Sequence, residues 1–99
     1  MKLKTFKMLD ISTGHIEYSD VQLLEAGEDH EFNFSCVQYE EGFYINLGGL
    51  NDEPHVRESC KKFSLSFSNL LALAKVQGYD FINFDRDGEV YPELKTFDW

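Results

Sequence analysis

The sequence predicts an α+β fold: a mainly antiparallel sheet of four to five strands with two helices on one face, in the order βαββαβ. Three observations carry this. Four segments alternate apolar and polar residues, or run apolar, over strand length. Two others space apolar residues at helical intervals between capping residues and a glycine. Compact turns join them, with no linker or repeat between. The order is that of a split βαβ, ferredoxin-like arrangement. Helices gathered on one face of an antiparallel sheet are the layering that suits it.

Leu3 to Ile11 reads as the first strand, with Phe6 and Met8 on one face and Leu9 and Ile11 on the other. That broken alternation suits a bulge, or a strand end buried on both faces. Ser12-Thr13-Gly14 ends it. Ser19 or Asp20 is placed to cap a short helix, Val21 to Ala26, stopped at Gly27. Glu28-Asp29-His30-Glu31 is a polar connector. Phe32 to Tyr39 is the cleanest strand, with Phe32, Phe34 and Cys36 facing one way and Asn33, Ser35 and Val37 the other. Phe43, Ile45 and Leu47 repeat the pattern. Between them, Glu40-Glu41-Gly42 predicts a three-residue hairpin loop closed by a left-handed glycine.

Gly48 to Pro54 is loop by its breakers. Val56 to Lys62 predicts a helical turn with Glu58 and Lys62 paired one turn apart. Ser66 or Ser68 then caps a longer helix carrying Phe67, Leu70, Leu71 and Ala74, stopped at Gly78. Asp80 to Asp85 reads as a buried strand, and Arg86-Asp87-Gly88 repeats the hairpin chemistry. Val90-Tyr91 begins an edge strand that Pro92 interrupts.

Ninety-nine residues make one domain, 1–99, and 42% hydrophobic with 15% aromatic residues is enough for a core. No segment has the length and apolarity of a membrane span, and no secretory signal is read at the N-terminus. Cys36 and Cys60 lack metal-site or redox spacing, so reduced thiols and a cytoplasmic setting are expected.

Charge is the strongest compositional signal, at a formal net of −9. From Met8 to Val56 there is no lysine or arginine, yet this stretch holds Glu25, Glu28, Asp29, Glu31, Glu40, Glu41, Asp52 and Glu53 among its acids. Direct nucleic-acid binding is disfavoured, because phosphate neutralisation needs a basic face. A basic protein surface is the expected partner. The basic segments Lys2–Lys7 and Arg57–Lys62 also fit the acidic patch of a second copy, which allows a homodimer.

Catalytic and metal motifs are weak. Asn83, Asp85, Asp87 and Gly88 match the first, third, fifth and sixth positions of a calcium loop, but the twelfth is Leu94 and the flanks read as strands. The same run resembles the nucleophile segment of haloacid-dehalogenase-type phosphohydrolases, though the residues after Gly88 are too few for the rest of that site. A hairpin turn is the simplest reading. His30 within its acidic connector has no second ligand pair, and nothing positions Cys60 beside a histidine. No metal, no cofactor and no enzymatic activity are expected.

Two segments, Leu9-Asp10-Ile11-Ser12-Thr13-Gly14-His15-Ile16 and Asp85-Arg86-Asp87-Gly88 through Leu94-Lys95-Thr96-Phe97-Asp98-Trp99, resemble a family of small, functionally unassigned domains of conjugative elements and phages. The chain departs from it at Lys95, where that family carries proline. The resemblance implies a mobile-element setting, in which small acidic inhibitors of host defence are common.

These observations predict a non-catalytic interaction protein, an acidic inhibitor that occupies the nucleic-acid groove of a host protein as a DNA mimic does. Two alternatives stand beside it. One is an immunity or antitoxin-like partner of a single toxin enzyme. The other is a small ligand- or metal-binding domain in which the first and last strands bring His15, Asp85 and Asp87 into one pocket.

Overall fold

The computed structural model describes residues 1–26 and 33–99. The predicted helix stop Gly27, the connector Glu28-Asp29-His30-Glu31 and Phe32 lie outside the described residues. The elements are β1 (Met8–Ser12), a 3-10 turn (Thr13–His15), α1 (Tyr18–Glu25), β2 (Ser35–Tyr39), β3 (Gly42–Asn46), α2 (Glu53–Ser59), α3 (Leu65–Val76) and β4 (Phe81–Asp85). The sheet order is β1-β4-β3-β2, with β1 parallel to β4 and the other pairs antiparallel. The α+β class is as predicted.

The topology is not ferredoxin-like. That arrangement sets the first strand inside the sheet and the last at its edge; here β4 lies between β1 and β3. Burial explains the exchange. On the core face β4 buries both Ile82 and Phe84 wholly, whereas β1 buries Ile11 but leaves their neighbour Leu9 half-buried. The strand with the fuller apolar face takes the central position. A third helix, α2, replaces the predicted turn, with Pro54 in its first turn and Asp52 as its N-cap. Glu58 pairs with Lys61, three residues on and just past the helix end, at 2.8 Å.

Alternation gives the sheet two faces. Ile11, Ile45, Ile82 and Phe84 point into the core, where Phe67 of α3 stacks on Phe84 at 5.9 Å between ring centroids. Asp10, Val37, Tyr44 and Asn83 stand in one row across the opposite face, by register. β4 is therefore buried on one side only, with Phe81, Asn83 and Asp85 half-buried on the other.

Both predicted glycine turns differ in mechanism. Tyr39 pairs directly with Gly42, so only Glu40 and Glu41 form the turn. Neither Gly42 nor Gly88 has a positive φ; among the described glycines that belongs to Gly78, at 83°, which ends α3 as predicted. Gly42 is required by close approach, since a Cβ there would come 1.8 Å from the Phe84 carbonyl oxygen. At Gly88 a Cβ would meet the Ile11 carbonyl at 2.6 Å. After Gly88 no fifth strand forms among the described residues. The tail runs beside β1 instead, with the Ser12 N–H donating to Glu89 O at 2.9 Å.

The caps also differ from expectation. Ser64, rather than Ser66 or Ser68, caps α3, accepting from Phe67 N at 3.1 Å. Its hydroxyl donates to Asp20 Oδ2 at 2.6 Å and its N–H to Asp20 Oδ1 at 2.7 Å. Asp20 sits in the first turn of α1, not at its cap, and accepts from Glu17 N at 2.9 Å. One fully buried carboxylate thus joins two helix N-termini, where the helix dipoles favour negative charge.

Candidate functional site

The acidic residues divide into two groups. Glu25 comes from the last turn of α1, and Glu40 and Glu41 from the β2–β3 turn. The fold brings all three to one hollow of about 180 Å³, whose wall includes Tyr39, Arg86 and Trp99. The β4 turn supplies Arg86 because its N–H donates to Glu41 O at 2.9 Å. The hollow therefore holds one cation that the base-free stretch gave no sign of.

Asp52 and Glu53 belong elsewhere. Asp52 accepts from His55 N at 3.0 Å as the cap of α2, and Glu53 pairs with Arg57 at 2.9 Å. Both acids are engaged by their own helix, as the short spacing to Pro54 and Arg57 allowed. Glu28, Asp29 and Glu31 lie outside the described residues.

The predicted His15–Asp85–Asp87 pocket does not form. His15 is 3% exposed. Its Nδ1 lies 2.9 Å from the Lys95 carbonyl, which only accepts, so Nδ1 carries the hydrogen. Nε2 then accepts from Tyr91 N at 2.9 Å. Both ring nitrogens are spent holding the tail. The hollow of about 220 Å³ that His15 lines is walled by Leu70, Leu73, Glu93 and Leu94, without Asp85 or Asp87. Trp99 completes the strap, its Nε1 donating to Ile16 O at 3.0 Å and its ring lying 5.4 Å from that of Tyr18.

Asp85 faces the open side of the sheet. Its Oδ1 accepts from Asp87 N at 2.8 Å, and this bond first, the Tyr39 hydroxyl second, holds the carboxyl below its ordinary range. The Tyr39 hydroxyl lies 2.8 Å from Asp85 Oδ2 and 2.7 Å from the Asn83 side-chain oxygen. With one hydrogen to give, the phenol serves the carboxylate, and the Asn83 amide turned end for end supplies the second bond as donor. Burial first, then the bond to Asp85, pushes the Tyr39 phenol up to about 12. In this fixed polar cluster both oxygens of Asp85 are engaged, one by Tyr39 and one by Asp87.

Cys60 is wholly buried, and burial, aided by the Asp20 charge, pushes its thiol up to about 12. Among the described residues no group of three His, Cys, Asp or Glu side chains is arranged to hold a metal ion. No described helix is long and apolar enough to cross a membrane.

Sequence reasoning missed the open sheet face. Its signal was present in Phe81-Ile82-Asn83-Phe84-Asp85, where polar residues alternate with Ile82 and Phe84. An aromatic row crosses this face: Phe6 packs edge-on to Phe81 at 5.5 Å, and Tyr44 stacks on Phe81 at 5.2 Å.

The chain belongs to a family of unknown function, DUF5983, whose C-terminal-domain model matches residues 8–99. Comparison with curated proteins and with solved structures gives no match.

Proposed function

We propose that this domain is a non-catalytic interaction module that docks on a basic protein surface through the hollow of Glu25, Glu40 and Glu41. The observation that carries this reading is the convergence of those three carboxylates from two separate elements, with Tyr39 and Trp99 in the same wall. Aromatic side chains beside charge supply the apolar anchor that exposed ion pairs lack. The engaged ring nitrogens of His15 and the buried Cys60 thiol favour binding over catalysis.

In its finer form, the partner is a nucleic-acid-handling host protein and the domain is a mobile-element inhibitor that occupies its phosphate-binding groove. The net charge of −9 and the base-free acidic stretch support that form. The test is a tagged pull-down from nuclease-treated host lysate, followed by titration with the purified partner. The wild type should be released at moderate salt and displaced by duplex DNA. The triple variant Glu25→Lys/Glu40→Lys/Glu41→Lys should bind at least about tenfold more weakly, as expected for three lost charge contacts. Equal retention of the triple variant would exclude the hollow as the docking site.

A further inference from the structure

We propose that the open face of the sheet is a second docking surface, fitted to a basic protein partner that presents arginines beside apolar side chains. This rests on the reading above that the partner is basic, and it extends the contact from the hollow onto the sheet.

The strands themselves carry the argument. None of the four contains a lysine or arginine, and their two acids, Asp10 and Asp85, both fall on the open face. The apolar side chains there are not hidden: Phe6 is 60% exposed, Val37 58% and Met8 49%. Solvated strand faces are ordinarily polar, so an aromatic row flanked by carboxylates marks a surface built for contact. Helix α3 packs on the opposite side, with Phe67 against Phe84.

Arginine fits both parts of this surface. A guanidinium stacks on an aromatic ring and pairs with a carboxylate in one plane, which a lysine ammonium does less well. The row already takes a cation at its end, where Lys4 Nζ lies 5.2 Å above the Phe6 ring. Phe81, Tyr44, Asp10 and Asp85 surround Asn83 on this face, by register, so rings and carboxylates stand next to one another. A second copy is a poor occupant. A second open face would bring another Asp10 and Asp85 to the contact, on a chain of the same net charge of −9. Tyr39, whose hydroxyl meets Asp85 while the residue also lines the hollow, makes the two surfaces continuous.

The test is amide chemical-shift mapping of the full chain titrated with a short peptide of arginine–leucine repeats, against its lysine–leucine counterpart. Saturable shifts at Asp10, Val37, Tyr44 and Asn83, with the arginine peptide bound about fivefold more tightly, are expected. The exposed variant Asp10→Asn/Val37→Lys should weaken that binding about tenfold while its unperturbed amides keep their positions. Shifts confined to Glu25, Glu40, Glu41 and Arg86 would overturn this inference and leave the hollow standing. Shifts on the face that grow with protein concentration alone would identify a second copy as the occupant and overturn it. No saturable shift anywhere would overturn both readings.

Discussion

The two faces of the sheet are made by the same four strands, one residue out of step, yet they share almost no chemistry. On one face Ile11, Ile45, Ile82 and Phe84 are wholly buried; on the other Asp10, Val37, Tyr44 and Asn83 occupy the matching row. A period of two lets a strand satisfy folding with its odd positions and remain free to recognise with its even ones. Stability and binding should therefore respond to different, interleaved substitutions.

The sharpest division is between Phe84 and its neighbour Asn83. Phe84→Ala removes a ring packed on Phe67 and should cost about 3–5 kcal/mol, enough to unfold a marginal domain, read by urea denaturation. Asn83→Ala, facing solvent, should cost less than about 1.5 kcal/mol in the same measurement. If the two losses were equal, the division between faces would fail.

Next in size is Asp20. Asp20→Ala leaves the N–H groups of Glu17 and Ser64 and the Ser64 hydroxyl without their buried acceptor. A loss of about 2–3 kcal/mol is expected, by thermal unfolding, with Ser64→Ala recovering little when combined because the two act as one unit.

Tyr39 stands at the junction of face and hollow, and pH probes it. Its folded phenol, at about 12, holds its proton more tightly than the ordinary value of 10.0. Its contribution is therefore complete below pH 10 and is lost as pH rises toward about 12. A phenolate absorbance titration should show two late tyrosines, Tyr39 and Tyr91, since burial raises the Tyr91 phenol too. Tyr39→Phe should remove one of them, together with part of the alkaline loss of stability. The smallest effect belongs to the open face: Val37→Lys should change stability by no more than about 0.5 kcal/mol while weakening arginine-peptide binding by less than the double variant does.

Much of this was legible from the residues. The strands around Val37 and Ile45 and the helix through Leu70 announced themselves by period, because each buries one stripe or one face, whereas the strand around Ile82 was legible only as a buried strand. Strand order did not, since it depends on comparing the burial each strand needs once all are formed. The glycines misled for a related reason. Gly42 has the look of a turn residue, but its role is set by the Phe84 carbonyl, which lies more than forty positions away in the chain. His15 and Asp85 invited a shared pocket because they are chemically versatile. The sequence could not show that the tail backbone claims both nitrogens of one, or that Tyr39 and Asp87 claim the oxygens of the other. The acidic hollow was half legible: the charges were plain, whereas the arrival of Arg86 beside them required the β4 turn to reach Glu41.

The strap formed by the tail has a practical consequence. Trp99 is the chain's one tryptophan, it leans on Tyr18, and it lies in the wall of the hollow. The protein therefore carries its own fluorophore at the place where docking is proposed, with a donor ring 5.4 Å away to feed it energy. A partner that enters the hollow must alter the polarity around that indole, and one that peels the tail away must break the transfer from Tyr18. Emission colour and tyrosine-excited intensity would then distinguish occupation of the hollow from release of the strap, with no label attached.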